Sequence, residues 1–273
     1  MEERFFPCNS ANFLSVKIVS SYVGFPIDVY GTVIARDMLD RKCVYLFRCD
    51  RDHSHLILNK HQLISMLTFQ QEEQLILTGP KRGLALIDAI YIEIDLKIKG
   101  AGKQKKDKQP SKGYTEVKND PDRFKEDMVV EPSLNSMLSE VVVKCAVEKY
   151  AVEATIAIEV VQGKFCGEIT ACTTNIQHCL EHSLVLYDTK LISAGMTDKR
   201  DIPLLRRIIA VGLKEKLIVT IARAGVCKAD RKRTIMFIPS VNNRDEAEVF
   251  CGSVKILVKV AWSIISHERL DYW

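Results

Sequence analysis

The sequence predicts an all-β protein of antiparallel sheets, arranged as a β-sandwich or as barrel-like sheets. Three observations predict this fold class. One long stretch alternates apolar and polar side chains, roughly a dozen short apolar runs are separated by turn residues such as Gly and Pro, and the first half contains one helical pattern at most. Antiparallel sheets with one buried and one solvated face produce such a pattern.

The clearest element is the stretch from Ala89 to Lys99. Aliphatic residues occupy the even positions from Ile90 to Ile98, whereas Tyr, Glu, Asp and Lys occupy the odd positions. Because successive side chains of a strand point to opposite faces, this stretch is predicted to be a long strand with one aliphatic and one charged face. A helix would scatter the aliphatic positions around its circumference. We therefore predict a sheet that is covered on one side only.

Further strands are predicted on both sides of this one. They comprise residues 14–18, 29–36, 43–48, 138–147, 150–160, 165–172, 183–187, 208–211, 216–222, 234–238 and 249–264. Residues 29–36 and 43–48 are close enough in sequence to form a hairpin. Gly31 lies inside the first of these two strands, which indicates a bulge or a closely approaching neighbour.

Residues 55–74 interrupt the strand pattern. Leu63, Met66 and Leu67 recur at helical spacing, and a polar tail follows them. The stretch is therefore predicted to be either one short amphipathic helix or an irregular insertion.

Residues 100–131 divide the predicted strands into two groups. This stretch is rich in lysine at first and acidic from Asp120 to Glu131. Such a composition buries too little apolar surface to offset the entropy that is lost on ordering. We therefore predict a charged mobile linker between a first β-rich half, residues 13–99, and a second, residues 132–266, unless the two halves form one composite domain.

The net charge of +4 is concentrated in the same stretch. The stretch from Lys99 to Lys118 contains seven lysines but only two acidic residues, Asp107 and Glu116, so its net charge is +5. The net charge of the rest of the chain is therefore about −1. The remainder of the chain is therefore not basic as a whole, which argues against a nucleic-acid-binding role based on overall charge.

The cysteines and the chain start indicate the compartment. Nine cysteines, an odd number, lie mostly in apolar runs without a short repeated spacing, which is typical of reduced thiols inside the cell. The first residues do not form a secretory signal pattern, and no apolar run reaches the ~18 residues needed to span a bilayer. We expect a cytoplasmic or nucleocytoplasmic protein.

Several motifs resemble those of a plant family of domains of unknown function that is abundant in grasses. They are VYGTVIARD at 29–37, YLFRCDRD at 45–52, LILTGPKRG at 75–83, YIEIDLKIK at 91–99, VEATI at 152–156 and WSII at 262–265. The resemblance covers about residues 14–266, and the order of the motifs makes it specific. The sequence departs from the family at residues 55–74, where members usually have a shorter polar loop.

Members of that family occur alone or fused behind a ribosome-inactivating domain, which depurinates ribosomal RNA. The resemblance implies an all-β module in plant stress, defence or translation biology, and it supplies no catalytic residue. Ribosome-inactivating enzymes use a helical Glu-x-x-Arg pair with stacking tyrosines and a tryptophan, and this chain has no such pair on a predicted helix. Depurination by this chain is therefore not expected.

The best candidate binding site is the turn formed by Lys81, Arg82 and Gly83. It follows Gly79 and Pro80, so two cations lie on a flexible backbone that could present donors to a phosphate or carboxylate. Pairing of these cations with Glu93 or Asp95 is the structural alternative, and we favour it.

A second candidate is the lysine tract, which could hold RNA or an anionic membrane electrostatically. The lysines in question are Lys103, Lys105, Lys106 and Lys108. No aromatic residue precedes Tyr114 in the tract, so the base-stacking part of single-strand recognition is missing. A solvated linker is the favoured interpretation.

No metal site, cofactor or catalytic residue is predicted. Four aspartates resemble calcium-binding loops, but ~20 Å of strand separates one pair from the other, so ion pairing with neighbouring arginines is favoured; they are Asp37, Asp40, Asp50 and Asp52. A second cluster could supply zinc ligands but matches no standard spacing; it contains Cys166, Cys172, His178, Cys179 and His182.

Taken together, the residues predict a non-enzymatic interaction module whose sheets display charged faces to a protein partner. An RNA- or ribosome-associated regulator of translation is the principal alternative, and an enzyme of unrecognised type is the third.

Overall fold

The computed structural model describes residues 7–58, 74–100, 106–125, 128–175, 182–191, 200–224 and 232–265. These residues form eighteen β-strands and no α-helix. Two 3-10 turns, Arg51–His53 and Arg123–Lys125, are the helical segments in the described ranges, where no helix is long and apolar enough to cross a membrane. The predicted all-β class is confirmed.

The strands are numbered in the order in which they occur along the chain. The first seven are β1 (Asn9–Ser21), β2 (Ile27–Arg36), β3 (Val44–Cys49), β4 (His55–Ile57), β5 (Ala85–Leu86), β6 (Ala89–Ile98) and β7 (Lys108–Lys118). The next six are β8 (Val129–Val130), β9 (Ser133–Asn135), β10 (Ser139–Glu148), β11 (Ala151–Gln162), β12 (Gly167–Thr173) and β13 (Leu184–Asp188). The last five are β14 (Ile208–Gly212), β15 (Leu217–Arg223), β16 (Lys232–Phe237), β17 (Arg244–Cys251) and β18 (Val254–Ile264).

The chain forms two compact units, and neither is continuous in sequence. Unit 1 comprises Met1–Asn12, Pro80–Ala85 and Val147–Trp273, and unit 2 comprises Phe13–Gly79 and Leu86–Ala146. One sheet, with the order β5-β1-β10-β8 and β9 also paired to β10, draws on strands that the division cuts. The predicted halves, in contrast, are continuous segments.

Unit 2 contains the sheet β3-β2-β6-β7, in which β4 also pairs with β2. Its central strand β6 has the predicted alternation: Ile90, Ile92, Ile94, Leu96 and Ile98 are buried, whereas the odd positions from Tyr91 to Lys97 are half-buried or exposed. The close neighbour predicted at Gly31 is the backbone of β6, because a Cβ at that position would collide with the carbonyl oxygen of Asp95.

Unit 1 contains two four-stranded sheets, β14-β11-β18-β17 and β13-β12-β15-β16. All pairs whose register is defined in these sheets are antiparallel. The strand β15 differs from β6 because each residue from Leu217 to Ile221 is buried, so side chains of both parities are covered.

The mobile linker predicted at residues 100–131 is wrong for Lys108–Lys118. These residues form β7, which pairs antiparallel with β6 from Ala89↔Lys118 to Ile98↔Lys108. The hydrogen bonds of this ladder satisfy the backbone of a segment with few apolar side chains, of which Val117 is buried. Residues 99–107 therefore connect two paired strands of one sheet, β6 and β7.

One carboxylate closes the base of this hairpin. Asp107 accepts hydrogen bonds from Arg51 Nε at 2.7 Å, from the Tyr30 hydroxyl at 2.6 Å and from the backbone N–H of Gly100 at 3.0 Å. The bond from Arg51 is the main reason why the pKa of Asp107 lies well below its usual range. The two ends of the lysine-rich connection are thereby held together.

The predicted helix cannot be compared with the structure in full. Its residues Leu63, Met66 and Leu67 lie outside the described residues, whereas His55–Ile57 form β4 on the edge of β2. Gln74 resumes the described chain with an isolated bridge to Lys17.

Candidate functional site

One face of the unit 2 sheet collects polar and aromatic side chains from four adjacent strands. We call this surface the outer face, and it is defined by Thr32, Ile34 and Arg36 of β2, Tyr45 and Arg48 of β3, Tyr91, Glu93 and Asp95 of β6, and Lys112, Tyr114 and Glu116 of β7. The register places Glu93 between Ile34 and Tyr114. Alternation along each strand sends these side chains away from the buried row of β6.

A groove of about 650 Å³ runs across the outer face. Its lining includes Thr32 and Ile34 on one side and Lys112 and Tyr114 on the other. Tyr114 is 66% exposed and meets the ring of Tyr91 edge to face, with ring centroids 6.3 Å apart. The groove therefore offers an amphipathic aromatic wall to solvent.

The charged side chains that line the groove are paired. Arg36 donates from Nε to Glu93 Oε1 at 2.5 Å and from Nη2 to Glu93 Oε2 at 3.3 Å, and this bond raises the pKa of Arg36. Asp95 accepts from Gln109 Nε2 at 2.9 Å, and Lys112 Nζ lies 3.8 Å from its other oxygen. The groove thus carries both signs of charge in balance.

At the β3 edge, the guanidinium of Arg48 lies 5.3 Å from the ring centroid of Tyr45. This cation–π contact presents a second exposed tyrosine beside a cation. Tyrosine and arginine are enriched at protein interfaces because each combines a large contact area with hydrogen-bonding groups.

The carboxylates that line the groove already have partners. Its lining residues include no histidine, cysteine or serine, and its two carboxylates are held by Arg36, Gln109 and Lys112. Within the described ranges, no three His, Cys, Asp or Glu side chains form a cluster that could hold a metal ion.

The turn predicted as a binding site belongs to unit 1, whereas the outer face belongs to unit 2. The N–H of Gly83 donates to Glu153 Oε2 at 2.5 Å, and Arg82 Nη1 donates to the carbonyl oxygen of Gly83 at 2.8 Å. Lys81 is exposed. One backbone donor that an anion would need is thus occupied, and the binding role of the two cations stays a prediction.

The alternative partners expected for that turn have other contacts of their own. Glu93 is bound by Arg36, and Asp95 by Gln109. Of the predicted lysine-tract residues, Lys106 and Lys108 are exposed at the start of β7. Lys103 and Lys105 lie outside the described residues.

The outer face was not predicted as a site because β7 was assigned to the linker. Lys112, Tyr114 and Lys118 alternate with Ser111, Gly113 and Val117, and this period of two is the signal that could have identified the strand. The register that brings Arg36 against Glu93 joins residues far apart in sequence, so no local pattern shows it.

Three comparisons place the chain among known proteins. The model of a family described as "Domain of unknown function (DUF6598)" matches residues 10–260. No curated protein matches the chain.

Two solved structures are similar in part: human GIVD cytosolic phospholipase A2, with 7% identity and a TM-score of 0.27, and human GIVD cytosolic phospholipase A2 in complex with methyl gamma-linolenyl fluorophosphonate, with 8% identity and a TM-score of 0.25. Each comparison covers 94% of this chain but 33% of the phospholipase chain. The chain thus spans about a third of the length of these structures, and TM-scores this low support no conclusion about fold or activity.

Proposed function

The chain belongs to the DUF6598 family of domains of unknown function, and we propose that it is a non-enzymatic interaction module whose outer face binds a protein partner. The observation that carries this proposal is the open groove on β2, β6 and β7, which is walled by Tyr91 and Tyr114 and crossed by the Arg36–Glu93 pair. Exposed tyrosine beside arginine is the composition of interface hot spots.

The balance of charge favours a protein over a nucleic acid as the partner. A polyanion requires an excess of cations, whereas Arg36 and Lys112 are matched by Glu93 and Asp95 across the groove. A protein surface with alternating charges can satisfy such a face, since complementary charges steer the encounter and fix its register.

The biological setting follows from the family resemblance alone. According to this resemblance, the module acts inside plant cells in a stress or defence response that is linked to ribosome inactivation. The alternative is an RNA- or ribosome-associated regulator of translation. In that case ribonuclease treatment would release the partners that are captured with the chain.

Affinity capture of the intact chain from native plant extract, with and without ribonuclease, tests the proposal. Tyr114→Ser should reduce the captured partner about tenfold or more, because removing a hot-spot side chain typically costs more than ~1.4 kcal/mol. Tyr150→Ser is the matched control, since Tyr150 is 64% exposed in unit 1 and is not part of the outer face.

Two results would contradict the proposal. Equal capture by the Tyr114→Ser and Tyr150→Ser variants would remove the outer face from the interaction. A captured set that disappears after ribonuclease would favour the RNA-associated alternative.

A further inference from the structure

The strands form two series that have the same order along the chain and in the sheets. In residues 9–148, which we call the first repeat, the sheet orders are β5-β1-β10-β8 and β3-β2-β6-β7. In residues 151–264, the second repeat, they are β14-β11-β18-β17 and β13-β12-β15-β16. When β4 and β9 are set aside, every described strand of the first repeat has a counterpart in the second, and the counterparts follow in the same chain order.

The strand β9 continues β8, so it does not disturb this correspondence. Cys145 of β10 pairs with Val130 of β8, and Val142 of β10 pairs with Ser133 of β9. These pairs belong to one unbroken antiparallel register along β10. The two short strands together therefore occupy the place beside β10 that β17 occupies beside β18.

The central strands of the two repeats contain a glycine in the same environment. Gly31 of β2 pairs with Leu96 of β6, and Gly167 of β12 pairs with Arg223 of β15. Both glycines have a positive φ, 127° and 158°, and a Cβ at either position would lie 2.1 or 2.0 Å from a carbonyl oxygen of the facing strand. Each repeat thus requires glycine at this place in its sheet.

A β-bulge also recurs at the same position. In each repeat the pairing with the neighbouring strand shifts after the second residue that follows the glycine. The extra residue is Leu46 in β3 and Leu186 in β13, and both leucines are fully buried. Bulges are specific local features that are conserved within families. A shared bulge and a shared glycine in one register indicate a common origin, which similar strand composition alone would not produce.

Positions that face the core agree between the repeats. Counted from the two glycines, four buried apolar positions of β2 and β6 have buried apolar counterparts in β12 and β15. The pairs are Val33 and Ile169, Ala35 and Ala171, Ile92 and Val219, and Ile94 and Ile221. Both repeats therefore build this part of the core with the same kind of residue.

The outer face, in contrast, has no equivalent in the second repeat. The counterparts of Ile34, Glu93 and Tyr114 are three threonines, Thr170, Thr220 and Thr234. The counterparts of Arg36 and Tyr91 are Cys172 and Ile218. The second repeat thus forms the same ladders without the ion pair and without the tyrosines, so the fold does not require these side chains.

Glu93 is the residue of this set that can still accept from a partner. Its two oxygens accept from Arg36 at 2.5 and 3.3 Å, and its side chain is 45% exposed. A carboxylate offers about four lone-pair sites, so a donor of the partner protein can share the carboxylate with Arg36.

We infer that the chain is a duplication of one β-sandwich, that the outer face is a binding surface of the first repeat alone, and that Glu93 is one of its specificity-determining residues. This inference rests on the proposed function, because it assigns the residues that recognise the same protein partner. A chain with two repeats then carries one such site.

Glu93→Thr in the full chain tests the role of the carboxylate, because it places there the residue that the second repeat has. Loss of an exposed ion pair should move the midpoint of urea unfolding by less than about 0.5 M. The proteins that the unsubstituted chain captures from native extract should be reduced about tenfold or more. Thr234→Ser is the matched control, since Thr234 is exposed and is the second repeat's counterpart of Tyr114. It should capture as the unsubstituted chain does.

Substitution of the glycines tests the duplication separately from binding. Gly31→Ala and Gly167→Ala should each lower the urea midpoint by about 0.5 M or more, because both added methyl groups meet a carbonyl oxygen. Gly113→Ala is the control. The counterpart of Gly113 is Arg233, and the nearest atoms to its added Cβ belong to the flexible side chain of Leu134, so it should cost less.

The outcomes separate this inference from the proposed function. If Tyr114→Ser loses the partner but Glu93→Thr retains it, the inference is wrong and the proposed function stands. A large fall in the urea midpoint of Glu93→Thr would likewise make Glu93 a structural residue. Full capture by both variants would contradict the proposed function and the inference with it.

Two further results would overturn the inference. Reduced capture by Thr234→Ser would extend the site to the second repeat. A loss of stability in only one of the two glycine variants would contradict the equivalence of the repeats.

Discussion

The strands β6 and β15 hold the same position in their sheets but differ in what covers them. Each lies between two antiparallel neighbours. In β6 the even positions are buried and the odd positions from Tyr91 to Lys97 reach solvent, whereas both parities are buried from Leu217 to Ile221 of β15. A central strand can display functional side chains only when one of its faces is free. The candidate site therefore lies over β6, and β15 serves the core.

The difference originates in the sequence. β6 alternates aliphatic residues with Tyr, Glu, Asp and Lys, but β15 begins with the unbroken run Leu-Ile-Val-Thr-Ile-Ala. Continuous apolar runs are typical of strands that are covered on both faces. A polar side chain lowers the stability of the fold little on the exposed face of β6 and much on either face of β15. The following substitutions test this contrast.

Ile94→Asp should have the largest effect. Ile94 is fully buried in the middle of the aliphatic row, so an unpaired carboxylate there costs several kcal/mol, which is comparable with a typical domain stability of ~5–15 kcal/mol. We expect unit 2 to unfold in circular dichroism melts. The control is Glu93→Asp, which places an aspartate one residue away on the outer face and should keep the fold. Equal losses in the two variants would show that β6 is covered on both sides.

Glu148→Gln extends the contrast to a carboxyl group that is buried in unit 1. Glu148 accepts from the Thr173 hydroxyl at 2.5 Å and from Asn175 Nδ2 at 3.2 Å. Burial raises the pKa of Glu148 to about 7 from its ordinary value of 4.5. The unfolded chain ionises at the lower value, so the folded state loses stability as the pH rises from about 4.5 to about 7, by about 3 kcal/mol in total.

The glutamine variant lacks this proton linkage. It should be more stable than the unsubstituted chain by about 3 kcal/mol above pH 8 and should show little gain below pH 4.5. Urea unfolding at several pH values measures the difference. A gain that is the same at every pH would contradict ionisation of Glu148 as the cause.

Tyr114→Ser should have the smallest effect on stability. Tyr114 projects from the outer face and is 66% exposed, so its loss should change the free energy of unfolding by only about 0.5 kcal/mol. The same substitution is expected to reduce the captured partner about tenfold or more. A large loss of stability would mean that Tyr114 is a structural residue, and the interaction test would then need Tyr45 as a substitute.

The all-β class and β6 could be predicted because both depend on local patterns. Alternation over residues 89–99 determines the faces of one strand without reference to its neighbours. The strand β7 has a weaker local pattern, because its residues alternate with a period of two but its lysines and glycine are typical of a solvated segment. Its order comes from pairing with β6 and from Asp107, whose partner Arg51 lies 56 positions earlier in the chain.

The candidate site was missed for a related reason. Arg36 and Glu93 are 57 positions apart, and only the register of β2 on β6 brings them together. Lys81 and Arg82 form a local cluster because they are adjacent in a turn, but the N–H of Gly83 beside them donates to Glu153 of a distant strand. Local clusters were visible in the sequence, whereas sites assembled across strands were not.

The central claim is that β6 keeps one face for the core and leaves the other free. Alanine pairs on β6 and β15, measured by urea unfolding in one buffer, test it most directly. Ile94→Ala should cost about 2–5 kcal/mol and Glu93→Ala less than about 1 kcal/mol, whereas Ile218→Ala and Ile221→Ala, on opposite faces of β15, should each cost about 2–5 kcal/mol. A loss for Glu93→Ala as large as that for Ile94→Ala would contradict the free outer face.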